Sequence, residues 1–463
     1  MFKKQVIIMD YDYDVIYIGS GNAAWQGGRF LTDAGWKVLI IEEGLYGGAC
    51  ANYGCNSKIL LDAPYELKSA IERYEGIGKK GDFSVDWPSL MEYKRVRIAG
   101  LSTFLDGKFK EYGIDVADGK GFIVDEHTVG VGDKTYTTER IVIATGLSPV
   151  IPDIPGKEYI HDSTDFLDVS ELPEHAIIMG AGFVGMEFAS ILCEAGKEVD
   201  LLVRSEICLR HFYQPYVELA ITELESKGVR FHYNQSPASI EKDGDDFIVT
   251  TQDGSTFTGD YVIGAMGREA NVKDIGLDKV GLEYTASGIP VDGNMRTKVD
   301  NIFATGDVAD TGQAKLVTVA IHQSKYLAKY LLGQTDEEIT YPVVPAVVFT
   351  LPRIATVGIP VYKALNMDGY NIHRIRYGDS YSIELKNDRT AEVTVVTDPD
   401  MNIVGAELYG PEAENMVNIF AFIINKNISL EELDYFIYAF PSSISVMLYK
   451  MHNIHYKIGD RKE

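Results

Sequence analysis

The residues best suited to redox chemistry lie in one short segment, GGACANYGCNSK, which runs from Gly47 to Lys58. It holds Cys50 and Cys55, two of the four cysteines in this chain of 463 residues, with four residues between them. In a reducing compartment, closely spaced cysteines are more often catalytic or metal-binding than structural. The segment therefore predicts a thiol pair that can form and open a disulfide.

Two other interpretations of this pair stay open at the level of the residues. A zinc site needs three or four ligands, usually at short spacings, and neither a C-x-x-C pattern nor a nearby histidine accompanies the pair, which argues against a metal. Two inert buried cysteines are the other alternative, because free cysteine is among the most buried residue types. Cys193 and Cys208, farther along the chain, fit a structural role.

The segment YDVIYIGSGNAAWQGGRFLTDAGWKVLIIEEG predicts a strand, a glycine-rich turn, a helix and a second strand that could position this pair. Gly19, Gly21 and Ala24 supply the turn pattern G-x-G-x-x-[GA], and Glu42 ends the second strand. Such glycines let the backbone approach a pyrophosphate at the helix N-terminus, while the acid binds the ribose hydroxyls. Because strand, helix and acid are all present, we predict a dinucleotide-binding βαβ unit.

A second unit of the same kind follows in AIIMGAGFVGMEFASILCEAGKEVDLLVRS. Gly180, Gly182 and Gly185 form its turn, and Arg204 and Arg210 stand at and just beyond the end of its second strand, where the first unit has an acid. A cation there accommodates a 2′-phosphate, which an acid would repel. We therefore predict NADPH rather than NADH at this unit, with two ordinary surface cations as the alternative.

Two more segments extend the first unit, whereas the C-terminal part of the chain differs from both units. IVIATGLSPVIPDIPG and TKVDNIFATGDVAD each contain an apolar strand. Beyond YPVVPAVVFTLP the glycine-rich turns stop, and AEVTVVTDPDMNIVGAELYG predicts a hairpin, while ENMVNIFAFIIN and SLEELDYFI predict helices. The predicted fold class is α/β, with two Rossmann-like units followed by an α+β domain.

Composition and charge argue against two classes of partner. The formal net charge is −25, from 43 Lys and Arg against 68 Asp and Glu, and so acidic a chain repels nucleic-acid phosphate. No apolar run approaches the ~18 residues of a membrane span. The N-terminus begins with Lys3 and Lys4 like a signal peptide, but the apolar run Val6–Met9 is too short for one. We expect a cytoplasmic protein that binds neither nucleic acid nor membrane.

Taken in order, these elements resemble the class I pyridine nucleotide–disulfide oxidoreductases, the family of glutathione reductase, dihydrolipoamide dehydrogenase and mercuric reductase. The most specific element is GGACANYGCNSK, which is similar to the family's redox-active segment, G-G-[ST]-C-x-N-x-G-C-x-P-[ST]-K. The resemblance implies an FAD-binding domain over 1–160 and 288–340, an NADPH-binding domain over 161–287 and a C-terminal dimerisation domain over 341–463. It also implies a homodimer.

The resemblance implies a role for each candidate residue. Cys55 would be the thiol beside the flavin and Cys50 the thiol that meets the substrate. Lys58 would lie near the flavin N5 with Glu187 as its acidic partner, and Phe183 stands where relatives with a tyrosine use it as a lid over the nicotinamide pocket. The positions implied to bind FAD, besides the first turn, are Glu42, Gly48, Ala49, Thr145, Gly146 and Asp307.

The C-terminal segment YAFPSSIS departs from the family. Relatives that reduce disulfides carry H-P-T-x-x-E there, and the histidine and glutamate protonate the leaving thiol, a form of general acid–base catalysis worth about 100- to 10,000-fold. Here Phe440 replaces the histidine and Ser445 the glutamate, and neither side chain can transfer a proton near pH 7. Other candidates nearby are Tyr438, Tyr449, His452 and His455.

The sequence therefore predicts an FAD-dependent NADPH oxidoreductase that passes electrons through Cys50 and Cys55 to a small acceptor: a metal ion, a quinone or a low-molecular-weight disulfide. One alternative is a disulfide reductase or dihydrolipoamide dehydrogenase-like enzyme with a substitute proton donor. Another is a redox-sensing flavoprotein without turnover, which the retained cysteines, Lys58 and Glu187 argue against.

Overall fold

The computed structural model describes residues 10–459, with side chains as far as His452. Lys3, Lys4 and Val6–Met9, and the side chain of His455, lie outside the described residues. The chain divides into two compact units. Unit 1 has the bounds Met1–Leu60, Met91–Val150 and Arg268–Thr340, and unit 2 has the bounds Leu61–Leu90, Ile151–Gly267 and Tyr341–Glu463.

The strands of the described residues are mostly short. In chain order they are β1 (Tyr13–Ile18), β2 (Val38–Glu42), β3 (Ile114–Asp118), β4 (Gly121–Asp125), β5 (Thr128–Val131), β6 (Lys134–Ile143), β7 (Leu147–Pro149), β8 (Ile160–His161), β9 (His175–Met179), β10 (Glu198–Val203), β11 (Val229–Tyr233), β12 (Pro237–Asp243), β13 (Asp246–Thr251), β14 (Thr256–Gly259), β15 (Tyr261–Gly264), β16 (Arg268–Ala270), β17 (Ile289–Pro290), β18 (Ile302–Ala304), β19 (Ala309–Asp310), β20 (Ala346–Val348), β21 (Arg353–Gly358), β22 (Asn371–Arg376), β23 (Glu392–Thr397) and β24 (Ile403–Gly410).

The helices lie between these strands and after the last of them. The α-helices are α1 (Asn22–Asp33), α2 (Gly48–Asn52), α3 (Cys55–Glu72), α4 (Trp87–Glu111), α5 (Ser163–Phe166), α6 (Phe183–Glu194), α7 (Gln214–Ser226), α8 (Val317–Leu331), α9 (Val361–Ala364), α10 (Tyr381–Glu384), α11 (Ala413–Asn425) and α12 (Ser443–Gly459). Short 3-10 helices lie at Lys157–Tyr159, Leu277–Val280, Gly306–Val308, Tyr377–Asp379 and Glu432–Tyr435.

The main sheet of unit 1 is built around the first predicted βαβ unit. Its strand order is β3-β2-β1-β6-β5-β4, and β18 also pairs with β6. Strands β1, β2, β3, β6 and β18 are parallel, whereas β4 and β5 continue the sheet as antiparallel strands. The central strands are apolar and buried along nearly their whole length, as parallel strands covered on both faces should be.

Unit 2 contains the second predicted βαβ unit as a sheet of its own. This parallel sheet has the order β11-β10-β9-β15-β8, and α6 connects β9 to β10. A separate antiparallel meander, β12-β13-β14, contributes Ile240 and Val249 to an apolar cluster with Ile177 and Leu202 of the parallel sheet. The burial of these side chains supplies the hydrophobic driving force for this part of the fold.

The C-terminal part of unit 2 is an antiparallel sheet in the order β20-β21-β24-β23-β22. The predicted hairpin is present as β23 and β24, and Met416, Val417 and Phe420 of α11 join the core of this sheet. The helix predicted for SLEELDYFI was wrong in extent, because only the 3-10 helix Glu432–Tyr435 forms there. Leu430 and Leu433 are buried in the core of this sheet, whereas the side chains of Tyr435, Phe436 and Ile437 are exposed, so the apolar residues at the end of the segment have no core to pack against as a longer helix.

The predicted fold class is confirmed: the chain is an α/β protein with two Rossmann-like parallel sheets and a C-terminal α+β domain. The predicted domain bounds, 1–160 with 288–340, 161–287 and 341–463, stay predictions.

Candidate functional site

The cysteine pair of unit 1 lies on two consecutive helices. Cys50 is in the short helix α2, and Cys55 is the first residue of α3. Both are half-buried thiols with no disulfide between them in this structure. Their side chains are hydrogen-bonded to each other. The two sulfur atoms are therefore neighbours, as a reversible disulfide requires.

The surroundings of the two thiols differ. The pKa of the Cys50 thiol is raised, first by its hydrogen bond with Cys55 and then by burial, while Lys58 acts in the opposite direction. A thiol that donates to its neighbour keeps its own proton and stabilises negative charge on the neighbouring sulfur. The N-terminus of α3 also favours a thiolate at Cys55. In the reduced pair, the raised pKa of Cys50 and the position of Cys55 at the N-terminus of α3 both favour Cys55 as the sulfur that carries negative charge.

The beginning of α2, the helix that carries Cys50, meets the first glycine turn. Gly19 and Gly21 lie in this turn, and Gly21 is the N-cap of α1, with no side chain capping the helix. A Cβ at Gly48 would lie 2.9 Å from the Cα of Gly21, and Gly48 has a positive φ of +66°, so only glycine fits. The two backbones meet without side chains between them, beside the uncapped N–H groups of α1. That arrangement suits a pyrophosphate.

Glu42 ends β2 and is held by the same turn. One of its carboxylate oxygens accepts hydrogen bonds from the N–H (2.9 Å) and the Oγ–H (2.6 Å) of Ser20, and the other accepts from the N–H of Gly44 (2.8 Å). Ser20 Oγ also accepts from the N–H of Gly47 (3.0 Å), at the start of the cysteine loop. Since a carboxylate has about four acceptor positions, Glu42 is oriented and still able to accept from a ribose hydroxyl.

Thr145 and Gly146 follow β6, and a distant asparagine holds them in unit 1. Thr145 donates through Oγ1 to the carbonyl of Asn271 (2.7 Å), and the Asn271 side-chain amide donates to the carbonyl of Thr145 (2.8 Å). The N–H of Asn271 donates to the carbonyl of Gly146 (3.0 Å). The segment after β6 therefore has a fixed path at the carboxyl end of the sheet, where ligands of such sheets bind.

Asp307 lies in the 3-10 helix Gly306–Val308, beyond β18. Burial raises the pKa of its carboxyl group, and the cations Lys315 and Arg268 act in the opposite direction. The same carboxylate contributes to the raised pKa of Cys50. Asp307 is therefore within electrostatic reach of the cysteine pair in unit 1.

In unit 2 the second glycine turn has the same organisation. Gly180 precedes α6 and Gly182 is its N-cap, again with no side-chain cap. A Cβ at Gly185 would lie 1.9 Å from the carbonyl oxygen of Gly180, so this position must stay glycine for the helix to pack on the turn. A Cβ at Gly182 would meet nothing within 4 Å, which leaves open space before the helix. Phe183, the first residue of α6, is 52% exposed.

Three charged residues of the prediction also belong to unit 2. Glu187 is buried on α6 and accepts a hydrogen bond from the N–H of Phe349 (3.0 Å). Its implied pairing with Lys58 stays a prediction. Arg204 directly follows β10, and Arg204 and Arg210 are both exposed, as cations that bind a phosphate from solvent must be.

At the C-terminus the residues that replace the family's histidine and glutamate do no proton chemistry of their own. Phe440 is 74% exposed. Ser445 is buried in the first turn of α12, where its Oγ donates to the carbonyl of Ser442 (2.8 Å) and accepts from the N–H of Ser442 (3.2 Å). These bonds stabilise the beginning of α12.

Among the other candidates, His452 of α12 pairs through Nδ1 with the Asp434 carboxylate. Tyr438 donates its hydroxyl to the carbonyl of Leu433 (3.0 Å), and Tyr449 is exposed. Within unit 2, His452 is thus an imidazole oriented by an acid.

Ser20, Asn271 and Asn52 were not among the predicted site residues. Asn52 is buried and its amide donates to the carbonyls of Gly48 (3.0 Å) and Tyr46 (2.9 Å), which closes the cysteine loop on itself. The family segment carries an asparagine at this position, so a signal for it was present. Asn271 is 126 residues from Thr145, and no local pattern marks it.

Two other kinds of feature are absent from the part of the chain that the structure describes. Among the described side chains, residues 10–452, no group of three or more His, Cys, Asp or Glu could hold a metal ion. No helix within residues 10–459 is long and apolar enough to cross a membrane.

Comparison with known proteins identifies the family of this chain. The model of the pyridine nucleotide-disulphide oxidoreductases matches residues 13–324, and the model of that family's dimerisation domain matches residues 344–448. The chain is 30% identical over 450 residues to a chloroplastic/mitochondrial glutathione reductase of Pisum sativum. The matched region covers 92% of this chain and 79% of that protein.

Two further relatives agree with this result. The chain is 30% identical over 452 residues to the dihydrolipoyl dehydrogenase of Chlamydia muridarum (strain MoPn / Nigg), covering 95% of this chain and 96% of that protein. The solved structure of the HOCl-induced flavoprotein disulfide reductase RclA from Escherichia coli has the same fold, with a TM-score of 0.86 at 24% identity over 96% of this chain and 100% of that chain.

The chain therefore belongs to the pyridine nucleotide-disulphide oxidoreductase family, and the predicted family is confirmed. The family is FAD-dependent and uses a pyridine nucleotide, and this chain carries its dimerisation domain. The residues fit both cofactors, because α1 and α6 each present an uncapped N-terminus and a glycine turn without side chains in front of it.

Proposed function

We propose that the protein is an FAD-dependent NADPH oxidoreductase that passes two electrons through Cys50 and Cys55 to a small acceptor. The observation that carries the proposal is the contact between these two thiols at the N-terminus of α3. Glu42 and the turn around Gly21 support FAD beside them.

The proposed reaction has two balanced halves. In the first, NADPH and one proton reduce the Cys50–Cys55 disulfide to two thiols, and NADP⁺ leaves. Bound FAD supplies the hydride chemistry that joins the nicotinamide to the disulfide. In the second, the dithiol gives two electrons to the acceptor and re-forms the disulfide, and its two protons pass to the reduced acceptor or to water.

This chain's own residues bind, orient and hold protons. The uncapped N-terminus of α6 binds the NADPH pyrophosphate, and Arg204 and Arg210 bind its 2′-phosphate. Cys50 meets the acceptor, and Cys55 faces the flavin. The preference for NADPH is supported by cations that follow β10, where the first unit has Glu42 at the end of β2.

Phe440 and Ser445 favour an acceptor that needs no protonation of a leaving thiol. Neither side chain can act as a general acid near pH 7. A metal ion such as mercuric or cupric, taken as a substrate, or a quinone meets this condition. These acceptors are therefore the proposed substrate class.

One observation favours a second candidate, a reductase of low-molecular-weight disulfides. His452 is oriented by Asp434, and an imidazole held by a carboxylate is a competent general acid. If this candidate is right, turnover with a small disulfide exceeds turnover with a quinone or a metal ion. The opposite order of rates supports the first candidate.

A homodimer and a cytoplasmic location belong to the same proposal. The match to the dimerisation domain over residues 344–448 supports the dimer. The closely spaced cysteines support a reducing compartment, where such pairs are reversibly oxidised and reduced and do not remain as structural disulfides.

The proposal is tested by anaerobic titration of the purified protein with NADPH and, in parallel, with NADH, followed by visible absorption. A long-wavelength band from a Cys55 thiolate against the flavin is expected after two electrons. Cys55→Ser should abolish the band, whereas Cys50→Ser should keep it and lower turnover by at least about 100-fold.

Other outcomes of the titration contradict the proposal in distinct ways. Loss of the yellow colour without the band means that the cysteine pair takes no part. Equal reduction by NADH removes the NADPH preference. Reduction that stops after one equivalent with every acceptor supports a redox sensor.

A further inference from the structure

The helix that begins at Cys55 contains a proline in its interior. Helix α3 runs Cys55–Glu72 and includes Pro64. Proline has no N–H to donate to the carbonyl four residues earlier, here Leu60, and its ring crowds that carbonyl, so a helix bends or weakens at such a point. Contacts from outside the helix are therefore needed to fix the orientation of the segment from Cys55 to Pro64 relative to the rest of α3.

A single buried arginine contacts the helix on both sides of Pro64, within unit 2. Arg353 of β21 is 2% exposed. Its two terminal nitrogens donate to the two carboxylate oxygens of Asp62, at 3.0 and 2.5 Å, and one of them also donates to Glu66 at 3.1 Å. The other donates to the carbonyl of Thr350 at 3.2 Å. The guanidinium group thus fixes residues 62 and 66 to the sheet.

Apolar side chains in place of Arg353 and Asp62 could stabilise the fold as well as the ion pair does, or better. Burying an ion pair removes two charges from water, and apolar residues of similar volume are often equally stable or more stable. What a bidentate pair of Arg353 and Asp62 adds is geometry, because two parallel hydrogen bonds fix both distance and orientation. The pair therefore suits a role in positioning.

A change in the direction of α3 at Asp62 also changes the position of Cys55. The two residues are seven positions apart on one helix, which is two turns and about 10 Å along the axis, so they lie on the same face. A tilt or rotation of this segment displaces Cys55 from the Cys50 thiol, to which it is hydrogen-bonded.

We propose that Arg353 is a positioning residue, which braces α3 across Pro64 and so sets the ionisation of the reduced Cys50–Cys55 pair. The proposal rests on the proposed function in one respect, that this pair is the redox centre. Arg353 is bonded to Asp62 and Glu66, and its proposed effect on the cysteines is transmitted along the helix.

The test is the pH profile of alkylation of the reduced holoenzyme by iodoacetamide, with each cysteine followed by mass spectrometry. In Arg353→Met we expect the midpoint for Cys55 to shift upward by about one pH unit, since the thiolate loses part of its stabilisation. Arg353→Lys keeps the charge but not the two-nitrogen fork, and should shift the midpoint by less.

Rescue by a second substitution separates positioning from general stability. Pro64→Ala restores the missing N–H, so the helix no longer needs the brace, and the Arg353→Met/Pro64→Ala double variant should return the midpoint to the wild-type value. The matched control is Arg374→Met, which removes a cation paired with Glu392 in the same unit, its side chain 46% exposed, and should leave the midpoint unchanged.

Two results would contradict the proposed role of Arg353. The positioning role of Arg353 is contradicted if Arg353→Met lowers the melting temperature but leaves the midpoint unchanged. It is also contradicted if the midpoint shifts and Pro64→Ala does not restore it. If Arg353→Met does not fold, Arg353→Lys and the double variant decide. Failure of the proposed function is seen separately, as no thiolate–flavin band in the wild-type protein, and the alkylation profile still tests the brace.

Discussion

Cys50 and Cys55 have different environments although they are close in the chain. Cys50 lies within α2, and its pKa is raised by its hydrogen bond with Cys55 and by burial, whereas Cys55 is the first residue of α3, at the positive end of the helix dipole. A relay of electrons needs this difference, because one sulfur must leave as a thiolate while the other remains protonated. The positions of the two thiols on two helices support the roles proposed for them.

A buried carboxylate away from this pair gives a prediction at the scale of one residue. Glu407 of β24 is 1% exposed, and neither carboxylate oxygen has a hydrogen-bond partner of normal geometry. Burial raises the pKa of Glu407 from 4.5 to about 7, although Thr356 and the backbone of Val361 and Tyr213 act in the opposite direction. The folded protein therefore binds this proton more tightly than the unfolded chain does.

The sign of the pH dependence follows from that shift. The stabilisation by protonated Glu407 is complete below about pH 4.5 and is lost as the pH rises through about 7. The difference of 7 − 4.5 = 2.5 units corresponds to about 3 kcal/mol. Glu407→Gln should melt above the wild-type protein at pH 8, with the difference much smaller at pH 5, in thermal denaturation at both pH values.

The exposed Glu241 provides the control for this measurement. Glu241→Gln should change the melting temperature little at either pH, because its carboxylate is solvated in the folded and unfolded states alike. A Glu407→Gln variant with the same advantage at pH 5 and pH 8 would show that the wild-type carboxylate does not titrate in this range.

At the scale of elements, two glycines of the second glycine turn have different reasons to be glycine: one is required by helix packing and the other by the proposed binding of NADPH. Gly185 is needed because a Cβ would lie 1.9 Å from the carbonyl oxygen of Gly180. Gly182 has no neighbour within 4 Å of such an atom, yet it caps the N-terminus of α6, where the proposed pyrophosphate lies. The same substitution should therefore have different consequences at the two positions.

Gly185→Ala is expected to lower the melting temperature and NADPH binding together, because the turn must move. Gly182→Ala should keep the wild-type melting temperature and raise KM for NADPH by about 10-fold or more, since a methyl group then stands where the phosphate approaches. Thermal denaturation and steady-state NADPH oxidation measure the two effects. Unchanged KM in Gly182→Ala contradicts the proposed binding position.

At the scale of the whole molecule, the dimerisation domain and the strong net charge act in opposite directions. Each chain has a formal charge of −25, so two chains repel each other at long range, whereas salt screens this repulsion over about 10 Å at 0.1 M. We expect light scattering to give about 103 kDa, twice the 51.3 kDa of one chain, at 0.15 M salt. A mass of one chain at micromolar concentration would contradict the proposed homodimer.

The sequence by itself determined the features that depend on residues close together in the chain. The glycine turns, the strands beside them, the cysteine spacing and the family could be predicted because a βαβ unit and its phosphate turn are formed by contiguous residues. The replacement of the family's histidine by Phe440 was likewise readable. The local pattern failed for SLEELDYFI, because helix length there depends on whether an apolar face finds a partner.

The tertiary structure alone decided which distant residues hold the site in place. Asn271 fixes Thr145 across 126 residues, and Arg353 reaches Asp62 across 291. Glu407 lies in a strand whose sequence does not show that its carboxylate would be buried. The physical reason is the same in each case: burial and hydrogen bonding between distant segments are properties of the packed chain, and no local pattern of residues encodes them.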